Sequence, residues 1–480
     1  MSGMGQMDLL IDQAGQAWLN GSPALRQRLG QPSPDVDIAG FVVRNMGYVR
    51  ARQREGTVRL TLRAGHVQFP TLEAVVRRGM KAAMLIMLLV VFTDLVGFGV
   101  VIPLLPFYGE HFGASPLTVT MLLATFSGCQ LIAAPLWGRL SDRIGRRPIV
   151  LISTLTSVAA YVWLADADAL WMLFAARALQ GVSAGNISVA QAYIADVTKP
   201  ENRAKGMGMM GAALGLGFIV GPAVGGQLAG GDPSALTVAL PAYAAAGFSA
   251  LALVLAALLL KESLPVERRA EAARNRPGRI AQIRQAFARP NLRRLMILFF
   301  TTTFAFAGME TTFALWALAR FGWGPRQVGE LFAMVGIILV LIQGGLIGRL
   351  TQRFGEARML LVGTVTIGVG LALMAAAMTP VLGIAASALL ALGMGMAQPS
   401  TSSLISREAS ATEQGSVLGV NQSVGSLARL LGPLAAGSAF TVGGPSAPYI
   451  LGAALMLVSA WLATRVLRRH RAADLEVLAL

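Results

Sequence analysis

The sequence predicts an all-α polytopic membrane protein of twelve transmembrane helices, arranged as two pseudo-symmetric six-helix bundles behind a short N-terminal cytosolic extension. Three observations predict it. First, 55% of the 480 residues are apolar and only 13% are charged, against about 25% charged in a soluble domain. That leaves too little polar surface for a water-soluble body, and it excludes disordered, collagenous and disulfide-scaffold classes. Second, twelve stretches approach or exceed the roughly 20 apolar residues that a spanning helix needs. Third, the two sets of six stretches repeat one another.

In chain order, residues 1–79 differ in kind, with ten arginines, six acids and no long apolar run. Val58, Leu60 and Leu62 alternate with Arg59, Thr61 and Arg63, the period of a short strand with a polar face, and Gly65 marks a turn. This segment reads as a small α+β cytosolic appendage of unknown role or a weakly ordered basic leader; a third reading starts the protein at Met80. The spans follow at 82–105, 117–138, 148–165, 169–193, 206–229 and 238–260, then at 295–318, 328–348, 358–378, 380–404, 415–438 and 447–467. The domains expected are therefore an extension at 1–79, a bundle at 80–260, a cytoplasmic linker at 261–294, and a second bundle with its tail at 295–480.

Charge sets the orientation. With the N-terminus inside, 25 Lys and Arg lie in or bordering the cytoplasmic loops and tail, and the opposite loops hold two, Arg320 and Arg326. Positive residues stay on the cytoplasmic side, so both termini are expected in the cytoplasm and the protein in the inner (plasma) membrane. The net charge of +16 thereby reads as topology and not as a nucleic-acid surface. Cys129 is the single cysteine, and His66, His111 and His470 all fall outside the spans, so neither a disulfide framework nor a metal site is expected. No cleavable signal peptide opens the chain, and no phosphate-binding glycine loop occurs in it.

The repeat is explicit. Gly138-Arg139-Leu140-Ser141-Asp142-Arg143-Ile144-Gly145-Arg146-Arg147 follows span 2, and Gly348-Arg349-Leu350-Thr351-Gln352-Arg353-Phe354-Gly355 follows span 8, 210 residues later. Gly221-Pro222 in span 5 recurs as Gly432-Pro433 in span 11, at an offset of 211. Parallel repeats of this kind are a transporter design, with the substrate site at the repeat interface near the midplane. In the loop after span 2, Gly138 permits close helix approach, Asp142 is an acceptor suited to a helix N-terminus, and Arg143, Arg146 and Arg147 suit acids or anionic headgroups.

This loop resembles the signature between spans 2 and 3 of the major facilitator superfamily, and the resemblance runs over residues 80–470. It implies a charge-relay latch of the outward-facing state at Gly138, Asp142, Arg143, Gly145 and Arg146. Gln352 stands where the second copy would have an acid, which implies a weaker latch there. Span 5 carries Gly208, Gly217, Gly221, Pro222, Gly225 and Gly226. Its spacing is similar to the antiporter motif of the superfamily's drug–proton exporters; its small residues also suit a plain packing face. Span 1 and the segment 397–437 resemble the 12-span tetracycline-type and multidrug efflux proteins. Ala160 stands where tetracycline exporters have an acid, and no span holds a histidine, so tetracycline itself is not implied.

Ionisable residues inside a bilayer cost at least about 2.5–3.5 kcal/mol each, which marks them as functional candidates. Asp94 lies in span 1, Arg177 in span 4, Glu310 in span 7 and Arg429 in span 11. Arg177 sits in Arg-x-x-Gln-Gly, which resembles the superfamily's span-4 motif implicated in proton transfer. Asp94, Arg177 and Glu310 are the expected proton-coupling residues; a purely structural Asp94–Arg177 salt bridge is the competing reading. Candidate cavity residues are Gln130, Gln180, Asn186, Gln191, Phe306, Gln343, Gln398, Asn421 and Gln422.

The expected function is export of small, largely hydrophobic, drug-like compounds in exchange for protons by alternating access. No cofactor is expected beyond the proton gradient. The partners expected are a small-molecule substrate, protons and the lipid bilayer, with no nucleic acid and a monomeric protein. The alternatives are a proton-coupled metabolite or siderophore exporter of the same fold and, remotely, a membrane sensor using residues 1–79. A membrane enzyme is disfavoured, because no His pair, Cys dyad or HExxH motif is present.

Overall fold

The computed structural model describes residues 7–11, 17–20, 50–54, 57–62, 72–198, 203–230, 239–264, 279–409 and 413–479. The turn expected at Gly65, the site of His66 and much of the 261–294 linker (265–278) lie outside the described residues. The chain divides into two compact units, Met1–Arg78 and Gly79–Leu480.

The first unit holds an antiparallel four-stranded sheet of β1 (Met7–Ile11), β2 (Ala17–Asn20), β3 (Arg50–Arg54) and β4 (Thr57–Leu62), in the order β2-β1-β4-β3. The strand read from the Val58–Leu62 alternation is β4, which pairs Leu60 with Leu9 on one side and with Ala51 on the other.

The second unit is helical. Its first repeat opens with α1 (Leu72–Val101), a helix that begins before the division at Gly79, and continues with the short α2 (Leu105–His111), α3 (Pro116–Ile144), α4 (Arg146–Ala165), α5 (Leu170–Ser183), α6 (Ile187–Val197), α7 (Arg203–Ala229) and α8 (Ala239–Leu259). The short α9 (Arg279–Ala288) leads into the second repeat: α10 (Pro290–Phe321), α11 (Pro325–Leu341), α12 (Ile347–Phe354), α13 (Glu356–Ala376), α14 (Pro380–Arg407), α15 (Gln414–Gly443) and α16 (Ala447–Ala479). Among the described residues ten helices are long and apolar enough to cross a bilayer. The two further spans expected from the sequence fall on α15 and on α5–α6, where a 3₁₀ turn at Ala184–Asn186 interrupts the helix.

Several boundaries follow from local chemistry. Ser115 accepts the Thr118 amide and Thr379 accepts that of Leu382, each just before a proline at the first helical position, a position where the missing N–H costs nothing. Gly145 (φ 108°) and Gly355 (φ 80°) sit at the sharp corners between α3 and α4 and between α12 and α13, in backbone conformations that a side chain disfavours. These two corners are the same point of the two repeats. The second-repeat partner of α3 is interrupted by a π-turn at Ile342–Leu346; in α3 the same depth holds Pro135. Both devices disturb the regular hydrogen-bond ladder.

The repeats meet along two seams, α7 against α11 and α3 against α15. Both seams are tight toward the end that carries the 112–115 and 322–324 turns. A Cβ built on Gly226 would lie 3.1 Å from the Gly329 Cα, and one on Gly336 would lie 2.6 Å from Ile219. Gln227 Nε2 donates to Glu330 Oε1 at 3.1 Å, and Gly437 packs directly on Thr120. Toward the other end the seams part: nothing stands within 4 Å of a Cβ built on Gly208, Gly211, Gly344, Gly345, Gly348 or Gly419.

Candidate functional site

A cavity of about 30 Å³ lies where the repeats meet, enough for one or two waters. The first repeat lines it with Phe98, Ile102, Leu123, Ser127 and Arg177, and the second with Ala307, Glu310, Thr311, Arg429 and Pro433. Three of the four ionisable residues read from the spans therefore converge on one space. Hydropathy places each charge in its helix, but only the rotation and crossing of α1, α3, α5, α10 and α15 bring them together.

Arg177 is the most enclosed of them, at 1% exposure. Its Nη1 donates to Gln180 Oε1 at 2.6 Å, and Nε and Nη2 have no hydrogen-bond partner among the described residues. The guanidinium lies 4.5 Å from the Phe126 ring centroid and 5.7 Å from that of Phe98, and the two ring centroids are 4.7 Å apart. Across the seam, Arg429 Nη2 donates to Ser426 Oγ at 3.3 Å. Glu310 and Arg429 influence one another electrostatically, yet no ion pair within 4.0 Å joins them among the described residues.

Asp94 is not paired with Arg177. Its Oδ2 accepts from Asn186 Nδ2 at 2.7 Å, and its Oδ1 is enclosed without a partner. The 3₁₀ turn at Ala184–Asn186 presents Asn186 to α1; Gly185 in the same turn lets α3 approach, since a Cβ there would lie 2.8 Å from Trp137 and from the Ala134 amide. Tyr161 stands near both charges, its hydroxyl against Gly97 one turn from Asp94. The salt-bridge reading of Asp94 thus gives way to an amide-bound carboxylate.

The polar residues expected to line the cavity do other things. Gln130 donates to the Ala184 carbonyl at 3.2 Å and ties α3 to the 3₁₀ turn. Gln180 holds Arg177 and Asn186 holds Asp94. Gln191, Gln343 and Gln422 are exposed, Gln343 within the π-turn. Asn421 is buried with an unpartnered Oδ1, Gln398 is half-buried, and Phe306 packs on the second-repeat core. None of these nine lines this cavity. Amide content marks buried polarity, but helix rotation decides whether it meets another helix or a void. Phe98, Ser127 and Thr311 were passed over because such residues are ordinary in an apolar span.

The loop after span 2 is built around Arg146. Its Nη1 donates to Asp142 Oδ1 and to Ser141 Oγ, both at 2.6 Å, and its Nε lies 3.3 Å from Asp196 Oδ2 on α6. Glu262 Oε1 accepts the Arg146 amide at 2.8 Å, which ties the α4 N-terminus to the segment after α8. Asp142 is 2% exposed and accepts from the Arg146 guanidinium, while Arg143 is exposed. Gly138 contributes its carbonyl, which accepts from Ser141 Oγ.

The span-5 glycines divide into two sets. Gly217, Gly221 and Gly225 face α1: a Cβ on Gly221 would lie 2.6 Å from the Val96 carbonyl, and one on Gly217 would lie 2.9 Å from Leu95. Gly226 faces α11, beside the Pro222 carbonyl that packs on Gly329. Gly208 faces open space. The same packing recurs in the second repeat, where a Cβ on Gly432 would lie 2.6 Å from the Phe304 carbonyl of α10.

The family model of the Major Facilitator Superfamily matches residues 87–350 and 320–478. The chain belongs to the major facilitator superfamily. It is a multi-pass membrane transporter, and not an enzyme. Among its relatives, the class C tetracycline resistance protein of Escherichia coli is 34% identical over 78% of this chain and 95% of its own length. Multidrug resistance protein 2 of Bacillus subtilis (strain 168) is 30% identical over 74% of this chain and 88% of its own. Among solved structures, the human organic anion transporter MFSD10 (TETRAN) superposes with a TM-score of 0.62 at 25% identity, covering 80% of this chain and 99% of that one.

Proposed function

We propose that this major facilitator protein exports small, largely hydrophobic, drug-like compounds from the cytoplasm in exchange for protons, by alternating access, through twelve spans and as a monomer in the inner (plasma) membrane. The observation that carries the reading is the cavity shared by the repeats, which gathers Arg177, Glu310 and Arg429 from three helices and both halves. Kinship with tetracycline and multidrug resistance proteins over most of the chain supports the direction of transport.

The loops around Arg146 and Arg349 lie in the cytoplasm, as the positive-inside rule requires. The seams are closed at the outer end and parted at the inner end, so the conformation is inward-open. Asp94, bound to Asn186 and enclosed at Oδ1, is the proton carrier, and Glu310 is the second protonatable group at the substrate cavity. Asp142 and Arg146 form the latch that must engage a partner when the inner end closes. No cofactor takes part. Each charge crossing 100 mV is worth about 2.3 kcal/mol and each pH unit about 1.4. One proton at about 150 mV and half a pH unit therefore supports roughly a thousandfold gradient of a neutral substrate.

The test is a drug-susceptibility and accumulation panel in an efflux-deficient host expressing the protein, with and without an uncoupler. Lower accumulation that the uncoupler reverses is expected. Accumulation equal to the empty host across the panel would overturn the reading.

A further inference from the structure

We propose that the cavity between Arg177 and Arg429 takes an anionic head group, so that the preferred cargo is an aromatic molecule bearing a carboxylate or similar delocalised anion and not a lipophilic cation. This rests on the export reading above and names the substrate class for the same site.

The charges of the cavity are unbalanced. Two guanidiniums and one carboxylate line it, and a guanidinium does not lose its proton in a protein. Glu310 compensates at most one of them. Arg177 is then left with Gln180, a neutral acceptor, for a single N–H, while its Nε and Nη2 remain enclosed without partners. Asp94, the acid on the neighbouring helix, makes no ion pair with Arg177 within 4.0 Å among the described residues and does not line the cavity. The face of Phe126 offsets part of the cost of this buried cation, but it satisfies no N–H. Two free donors on one planar fork are the complement of a carboxylate. A cationic ligand would meet net positive charge in the same space.

Shape and surroundings agree. Phe98 lines the cavity and packs on Phe126 with its ring tilted by 35°, which offers aromatic apolar surface beside the donors. About 30 Å³ holds a head group and not a whole drug, so the body of the ligand must extend toward the inner end, where the seams part. Because Arg177 belongs to one repeat and Arg429 to the other, a bridging anion would also register whether the two halves are closed around it.

The experiment compares three probes of one shape, 2-naphthoate, 2-naphthamide and 2-naphthylmethylammonium, by calorimetry on the full chain in nanodiscs at pH 8. The expected result is naphthoate about tenfold or more tighter than the amide, as a charge-assisted pair predicts, with the ammonium weakest. Arg429→Gln should bring naphthoate to within about threefold of the amide, and Arg429→Lys should keep part of the preference. Should Arg177→Gln fail to fold, the wild-type series and the Arg429 variants still decide. Equal affinity for the three probes, preference for the ammonium, absence of binding by all three at millimolar concentration, or full preference retained in Arg429→Gln would each overturn the proposal. Uncoupler-sensitive extrusion of a neutral lipophilic dye from cells, measured alongside, tests export separately, so failure of the anion preference and failure of the export reading are told apart.

Discussion

Glu356 and Arg407 form an ion pair, Arg407 Nη2 to Glu356 Oε1 at 2.5 Å, between the first residue of α13 and the last of α14. It is the charge-inverted image of Arg146 and Asp196, which stand 210 and 211 residues earlier at the start of α4 and near the end of α6. The two repeats thus solve one problem, fastening their third and fourth spans at the same end, with opposite polarity. Their surroundings differ. Arg146 is buried and also holds Asp142, whereas the Arg407 side chain is 67% exposed. Breaking a buried pair leaves an uncompensated charge and costs about 3–5 kcal/mol, while an exposed pair is worth about 0–1 kcal/mol.

The two corners should therefore respond unequally. Arg146→Gln is expected to lower the unfolding temperature in detergent by several degrees, and Arg407→Gln by about a degree or less. Asp142→Asn is expected to reach the membrane and to transport more slowly, because the latch needs its charge and not its bulk. Thermal unfolding and vesicle transport check these outcomes, and full transport by Asp142→Asn would remove that residue from the latch.

Span 5 separates packing from mere composition. Gly221→Leu must collide with the Val96 carbonyl, 2.6 Å from where its Cβ would stand, and is expected to abolish export in protein that still inserts. Gly208→Leu meets nothing within 4 Å and should retain at least about half the activity. Equal loss in both variants would show that the glycine pattern acts through something other than the close approach of α7 to α1.

Asp94 is the proposed proton carrier because it is enclosed and accepts from Asn186. Asp94→Asn is expected to keep substrate binding and lose uphill, pH-gradient-driven transport in proteoliposomes. Asn186→Ala leaves the carboxylate without its donor at 2.7 Å and should weaken coupling while downhill exchange survives. Should Asp94→Asn still concentrate substrate and dissipate the gradient, the carrier is Glu310.

The tight end of the α7–α11 seam is testable by cross-linking. Gln227 and Glu330 face each other across the α7–α11 seam at 3.1 Å. In a Cys129→Ser background, Gln227→Cys with Glu330→Cys is expected to cross-link efficiently with a short bis-methanethiosulfonate reagent, through mixed disulfides, and to lose transport until reduced. Unimpaired transport by the cross-linked protein would mean that this seam need not open.

The membrane-spanning helical character of the chain and its internal repeat were legible in the amino acids alone, because each depends on local quantities: apolar length and a fixed repeat offset. The corner glycines 145 and 355 and the Gly221–Gly432 correspondence belong with these, since a backbone conformation or a close approach demands glycine wherever the repeat places it. Which buried polar groups meet was decided only in three dimensions. The amino acids offered an Asp94–Arg177 salt bridge as the competing reading, and the broken helix at Ala184–Asn186 gives Asp94 an amide and leaves Arg177 facing the seam. The resemblance implied Arg143 and Arg146 alike beside Asp142, and the turn at Gly145 brings Arg146 onto it. The physical reason is the same in both cases. Hydropathy fixes how deep a residue lies in the bilayer, but its partners depend on helix rotation and crossing, and these are set by the packing of all the other side chains.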